Sequence, residues 1–154
     1  MIAKTKPKRK RIQVKEENCI GCKLCEVYCV ASHSESKDLI RAFKKEFPRA
    51  LSRVIVEENK PVTFALQCRH CEEPVCVSAC ITGAMSKDEK TGTVTHDAEK
   101  CVGCWMCIMV CPYGGIKRDK RDKKIASKCD LCIETGEAAC VINCPNDALE
   151  IKED

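Results

Sequence analysis

Sixteen cysteines stand in this chain as four groups of four: Cys19, Cys22, Cys25 and Cys29; Cys68, Cys71, Cys76 and Cys80; Cys101, Cys104, Cys107 and Cys111; Cys129, Cys132, Cys140 and Cys144. Thiolate is the ligand of soft and borderline metals, and paired thiols also oxidise to disulfides. Spacing has to decide among these chemistries. The first and third groups read C-x2-C-x2-C-x3-C. That run sets three thiolates on one tight loop around a cubane iron–sulfur cluster, with the fourth reaching a second cluster. Every group ends with a three-residue gap before its last member, and Pro112 and Pro145 follow two of those last members. The second and fourth groups keep the plan with longer inner loops, CEEPVC and CIETGEAAC. The expectation is four [4Fe–4S] clusters and a chain that carries electrons.

The competing chemistries fit less well. A disulfide framework needs an oxidising compartment. The start of the chain, MIAKTKPKRKRIQVKEEN, carries basic residues with no apolar run after them, so neither a secretory nor a twin-arginine signal is expected there. No run approaches the roughly 18 apolar residues that cross a membrane, and a cytoplasmic location without membrane insertion follows as the expectation. Zinc takes C-x2-C pairs, usually two separated pairs in one tetrahedron. Here three close thiols and a fourth recur four times. A zinc-bound interaction module therefore remains only as an alternative.

Under cross-ligation between paired motifs, four sites follow. Cys19, Cys22 and Cys25 take Cys144; Cys129, Cys132 and Cys140 take Cys29; Cys68, Cys71 and Cys76 take Cys111; Cys101, Cys104 and Cys107 take Cys80. Among neighbouring residues, Trp105 and Met106 are expected to shield a cluster from water. His70 is expected to hydrogen-bond or meet solvent rather than ligate, and His33 and His96 read as ordinary histidines. There is no Gly-rich phosphate loop for a flavin or nicotinamide, and no acid–base set that would turn over a substrate. The chain is expected to be no enzyme by itself.

The elements that must position these thiols are short. Aromatic residues make up only 4% of the 154, and the 44% hydrophobic fraction counts cysteine. Side-chain burial alone leaves so small a core marginal, and metal centres supply what is missing. The formal charge of +4 treats each cysteine as a neutral thiol. Each cluster with its four thiolates brings about −2, so the loaded protein sits at roughly −4. The basic run Lys4, Lys6, Lys8, Arg9, Lys10, Arg11 comes with no nucleic-acid-binding motif. It reads as a solvated tail or a patch for an acidic partner.

Arg11–Val14 and Ala148–Ile151 read as two strands able to pair across the length of the chain. ITGAMSKDEKTGTVTHDAEK, between the second and third groups, reads as a hairpin turning at Thr91-Gly92. Leu39, Ile40, Phe43 and Phe47 share a helical face that Pro48 ends. That face is expected to pack on the rest of the molecule, with docking to a partner as the second possibility. Ser52 to Glu57 and Val62 to Leu66 read as a hairpin through Asn59-Lys60-Pro61, and residues 117–128, strongly charged, as a solvated loop or hairpin.

With the groups laid out, the chain resembles the four-cluster ferredoxin-like electron-transfer subunits of anaerobic oxidoreductases such as formate dehydrogenases, dimethyl sulfoxide reductase-type enzymes and hydrogenases. The resemblance covers nearly the whole chain and all sixteen cysteines. CRHCEEPVCVSACITGAM, CVGCWMCIMVCPYGGIKRD, KCDLCIETGEAACVINCPNDAL and the HSESKD after the first group are similar to the iron–sulfur subunit associated with nickel carbon monoxide dehydrogenase. The resemblance implies transfer of low-potential electrons from that dehydrogenase to a hydrogenase or a flavin-dependent NAD(P) oxidoreductase. Related subunits serve formate and aldehyde oxidoreductases, and a filament-forming wire is a further alternative. Some relatives replace one ligand and hold a three-iron cluster, whereas this chain keeps cysteine throughout. The expected fold is α+β. It comprises two bacterial-type ferredoxin modules, an inner one (68–111) inserted in an outer one (1–67 and 112–154).

Overall fold

A computed structural model describes residues 9–119, 121 and 125–153. Lys4, Lys6 and Lys8 of the basic run lie outside these residues. Lys10 and Arg11 do not belong to a tail, because strand β1 spans Lys10–Val14. The other elements, in chain order, are α1 (Leu24–Ser32), α2 (Leu39–Lys44), β2 (Ile55–Asn59), β3 (Val62–Leu66), α3 (Val75–Ser78), β4 (Met85–Lys87) and β5 (Val94–His96). They continue with α4 (Met106–Val110), β6 (Ile116–Arg118), β7 (Ala126–Lys128), α5 (Ala139–Ile142) and β8 (Leu149–Glu153). The architecture is α+β, with the strands arranged as separate two-stranded antiparallel ribbons.

Three ribbons are hairpins, β2–β3, β4–β5 and β6–β7. The turn of β4–β5 passes through Gly92 at φ +68°, a backbone state that glycine enters without steric cost. The fourth ribbon joins the two ends of the described chain. In it β1 pairs with β8, setting Ile12 opposite Ile151 and Val14 opposite Leu149. Period-two alternation turns Ile12 inward, where it is 4% exposed. The Gln67 side-chain amide donates to the Ile12 carbonyl at 3.2 Å, tying this ribbon to the start of the second cysteine group.

A single isolated ribbon is barely stable in water, so what the ribbons pack on matters. Two cores form. One gathers Ile12, Val54, Val56, Ala65 and Leu149 with Cys25, Cys29, Cys68, Cys129 and Cys140. The other gathers Met85, Val94, Ile116 and Ala126 with Cys76 and Cys107. Helix α1 packs on α5 and α3 packs on α4. Cysteine is thus a core residue on both sides of the molecule, and few other large side chains are available to do that work.

Two local expectations are corrected. Helix α2 stops at Lys44 instead of running to Pro48, and the residue it buries is Ala42. Ile40 and Phe47 stay 65% and 70% exposed, so the apolar face does not pack into the core. The Glu46 carboxylate accepts from the backbone N–H groups of Glu35 and Ser36, which pulls the chain back from helical continuation. Arg49 stacks over the Phe43 and Phe47 rings, 5.2 and 4.9 Å from their centroids, and gives them partial cover. The charged stretch 117–128 does form a hairpin, β6–β7, but it is not simply solvated. Asp119, Ala126 and Lys128 are 7%, 2% and 3% exposed.

Candidate metal centres

In each group the third and fourth cysteines stand four residues apart, at Cys25 and Cys29, Cys76 and Cys80, Cys107 and Cys111, and Cys140 and Cys144. Each pair is joined by a short helix, α1, α3, α4 or α5. Residues at i and i+4 share a helix face one turn apart. Only Cys25 and Cys29 both lie within their helix; Cys80, Cys111 and Cys144 stand just past the ends of α3, α4 and α5, which leaves the two thiols of each pair at different heights and able to serve two neighbouring sites rather than one. The first and third groups reach their helices through residues in the left-handed region, Lys23 (φ +61°) and Trp105 (φ +64°). That kink folds the preceding C-x2-C back over the helix start, and its recurrence is a structural mark of the internal repeat.

The thiols converge accordingly. Cys19, Cys22, Cys25 and Cys144 line one small apolar cavity, together with Val56, Ala65 and Leu149. Cys80, Cys101, Cys104 and Cys107 line a second with Trp105 and Met85. Cys68, Cys71, Cys76 and Cys111 line a third with Val94, Tyr113 and Ile116. The remaining four, Cys29, Cys129, Cys132 and Cys140, are all buried. The Cys140 thiol is raised far above the ordinary range, first by burial and then by Cys129, Cys29, Cys132 and Cys25 around it. In each set the fourth cysteine of one group sits with the first three of another.

Burial pushes Cys25 and Cys76 up to about 11 and Cys129 up to about 12. A thiol must lose its proton to bind metal. Clustered thiols this reluctant to ionise by themselves suit a highly charged cation that compensates four thiolates together. Backbone N–H groups already aim at several sulfurs: Arg53 at Cys29 (3.2 Å), Ala148 at Cys144 (3.3 Å), Met85 at Cys80 and Leu131 at Cys129 (both 3.4 Å). Donors to sulfur stabilise the anionic form. The donor set, four soft sulfurs in a water-poor pocket, fits a [4Fe–4S] cubane.

The surroundings of the thiols bear out the hydrogen-bonding reading of His70 and correct those of His33 and Met106. His70 meets no solvent, being fully buried. Its Nδ1 accepts the Val94 N–H at 3.1 Å, and burial with the nearby Lys128 charge lowers it to about 3, a neutral imidazole. His33 is far from ordinary. Its Nδ1 lies 2.8 Å from the Cys29 carbonyl and 3.7 Å from the Cys29 sulfur, and its Nε2 lies 3.1 Å from Asp130. Burial opposes its charge, but the bonds to Asp130 and Cys29 outweigh that and lift it to about 10. With Arg53 on the other Asp130 oxygen, this trio braces the fourth group, and only the three-dimensional fold brings Asp130 to His33. His33, Asp130 and Cys132 also lie close enough to share an ion, but Cys132 is already a member of the buried thiol set. Trp105 does line a cysteine cavity, with Arg118 stacked 4.5 Å from its ring centroid, whereas Met106 points to solvent, 42% exposed.

Comparison with known proteins agrees with this chemistry. The 4Fe-4S dicluster domain family matches residues 60–154. The chain is 36% identical over 146 residues to "Electron transport protein HydN" of Escherichia coli (strain K12), covering 85% of this chain and 81% of that protein. It is 33% identical over 150 residues to "Thiosulfate reductase electron transfer subunit PhsB" of Salmonella typhi, covering 88% and 71%. Among solved structures it resembles a chain of "Active site complex BamBC of Benzoyl Coenzyme A reductase as isolated" with a TM-score of 0.50 and 25% identity, over 94% of this chain and 77% of that one.

Proposed function

The chain belongs to the 4Fe-4S dicluster domain family, and from that premise we propose that it is a four-station electron wire whose clusters are cross-ligated between two interlocked ferredoxin modules. It is an iron–sulfur electron-transfer protein of the kind that serves oxidoreductase complexes, with four [4Fe–4S] clusters and no catalysis of its own. The observation that carries the finer reading is the exchange of fourth cysteines. Cys144 lies with the first group, Cys111 with the second and Cys80 with the third. In this reading the first and fourth groups make the outer module, closed by β1–β8 and α1–α5, and the second and third make the inserted inner one, centred on α3–α4.

The same packing suggests an order. Cys22 and Cys104 are the exposed cysteines, and we assign their clusters as the two terminals. Cys25 lies beside Cys140, and Cys129 beside Cys68, within one core. Electrons would then pass from the Cys22 site through the Cys140 and Cys76 sites to the Cys104 site, or the reverse. Exposed Ile20 and Leu24 flank Cys22, while Val102 and Met106 flank Cys104, so each terminal presents an apolar rim to a partner. Bound clusters supply one-electron storage. The protein's own part is to hold the thiolates, exclude water and donate N–H groups to sulfur.

The preferred catalytic partner is a nickel carbon monoxide dehydrogenase, with a hydrogenase or a flavin-dependent NAD(P) oxidoreductase as acceptor. This choice rests on the resemblance of residues 33–38, 68–85, 101–119 and 128–149 to that enzyme's iron–sulfur subunit. Among the described residues no helix is long and apolar enough to cross a membrane, which accords with a cytoplasmic site of action. Anaerobic purification should recover about sixteen irons per chain together with the dehydrogenase. Recovery of a formate or aldehyde oxidoreductase instead would overturn the partner and leave the wire. The ligand sets are tested by Cys80→Ser and electron paramagnetic resonance. Loss or conversion of the cluster held by Cys101, Cys104 and Cys107 is expected, and damage to the one held by Cys68, Cys71 and Cys76 would reject cross-ligation.

A further inference from the structure

Lys128 is 3% exposed, at the end of β7 and next to the first cysteine of the fourth group. Burying an ammonium is expensive unless an anion accompanies it. Among the described residues no carboxylate pairs with it. The nearby acids are taken: Asp119 by Arg121 at 2.6 Å, and Asp130 by His33 and Arg53. Nζ instead donates to two backbone carbonyls, those of Val94 and of Cys129 (2.7 Å). Carbonyls fix the position of the ammonium and leave its charge uncancelled. Both backbone polar groups of Val94 are engaged, since its N–H goes to the buried, neutral His70. The edge of β5 not paired with β4 thus becomes a mount for one fixed cation. Its charge acts on Cys68 and Cys76 of one buried thiol set and on Cys129 of the other, in each case favouring the thiolate.

We propose that the Lys128 ammonium is the counter-ion shared by the two interior clusters, the one held by Cys68, Cys71, Cys76 and Cys111 and the one held by Cys29, Cys129, Cys132 and Cys140, and that it raises the reduction potential of both. The proposal rests on the ligand sets proposed above. A buried cation finds its missing anion in the clusters, each of which with its thiolates is negative by about two charges. Adding an electron makes a cluster more negative, so a fixed positive charge beside it favours the reduced form. Without that charge the interior of the wire, poorest in water, would be the hardest place to put an electron. With it, interior stations come closer in potential to the terminal ones, and transit does not meet a barrier in the middle. Lys128 is a positioning and tuning residue, not a ligand.

The test is a potentiometric titration, followed by electron paramagnetic resonance, of the anaerobically loaded full chain as wild type, Lys128→Met and Lys128→Arg. Signals are assigned with one Cys→Ser variant per site: Cys22, Cys76, Cys104 and Cys140. Lys128→Met should move the two interior signals to more negative potential and the two terminal signals much less, and Lys128→Arg should keep all four near wild type. Interior signals that stay in place in Lys128→Met, or four signals that move together, overturn the proposal. If Lys128→Met loads less iron, restoration of the full load by Lys128→Arg supports the counter-ion role, and equal loss in both rejects it. The assignment step tests the ligand sets separately. Cys111→Ser disturbing the signal lost in Cys76→Ser, and Cys29→Ser disturbing the one lost in Cys140→Ser, uphold those sets whatever Lys128 does; disturbance of the Cys104 and Cys22 signals instead sinks them.

Discussion

At the scale of the residue, the thiols depend on neighbours that leave no room for substitution. Gly115 is the tightest. A Cβ there would meet the Cys68 Cα at 2.9 Å and the Cys68 nitrogen at 3.0 Å, both backbone atoms that cannot swing aside. Gly115 therefore lets the chain that follows Cys111 pass directly against the start of the second group, in the wall of the cavity that holds Cys68, Cys71, Cys76 and Cys111. Gly115→Ala is expected to cost about 1–3 kcal/mol, the usual range for overpacking. It should also lower the iron content by one cluster, read by iron analysis and by a lower thermal midpoint of the loaded protein. His70 is a second such neighbour. Its value lies in being buried and neutral, giving Val94 a hydrogen-bond acceptor without adding charge beside Lys128.

At the scale of the element, the pairing of β1 with β8 is the step that makes the two ends of the described chain one structure. Five-residue strands in a two-stranded ribbon hold poorly by themselves. What fixes this one is Ile12 and Leu149 entering the core beside Cys25 and Cys140. Two exposed ion pairs, Lys10–Glu153 at 2.9 Å and Lys15–Glu150 at 2.7 Å, flank it, and exposed pairs contribute little. Ile12→Ala is expected to cost about 2–5 kcal/mol. Because this closure, together with the packing of α1 on α5, holds Cys144 at the first group, the cluster proposed at Cys19, Cys22 and Cys25 should be lost first. Timed chelation, with each cluster followed by its own resonance signal, checks the order. The short helices illustrate a related point. Four or five residues are too few for a helix to persist without tertiary support, so α3, α4 and α5 owe their existence to the thiols they carry into the cores.

At the scale of the whole molecule, both cores are built partly from cysteine, and the exposed surface still carries large apolar side chains such as Phe47 and Met109. A chain with so little aliphatic mass inside folds with its metal or hardly at all. Removal of iron by an anaerobic chelator should therefore abolish the cooperative unfolding transition seen by circular dichroism, and the loss should be reversed on reconstitution. A native-like cooperative melt of iron-free protein would contradict this. The two exposed cysteines, Cys22 and Cys104, lie in different thiol sets, which is the arrangement a relay needs in order to meet one partner at each terminal.

The cysteine spacing alone determined the metal and the cluster type, because three thiolates on a seven-residue loop such as Cys19–Cys25 can satisfy few geometries other than a cubane; the α+β class was implied by the family resemblance. The β1–β8 pairing and the β2–β3 and β4–β5 hairpins were also legible, since alternating burial and turn residues are local signals. Tertiary structure alone decided the rest. The α2 face could not be read correctly, because its apolar spacing says nothing of whether a surface exists to receive it. In this fold Glu46 and Arg49 draw the chain away instead. The charged segment 117–128 hid Lys128, since a lysine reads as solvated until its burial against Val94 and Cys129 is seen. His33 and Asp130, 97 residues apart, carry no mark in sequence of their meeting. Spacing fixes which ligands a loop can offer; only the packing of distant elements fixes which charges stand beside them.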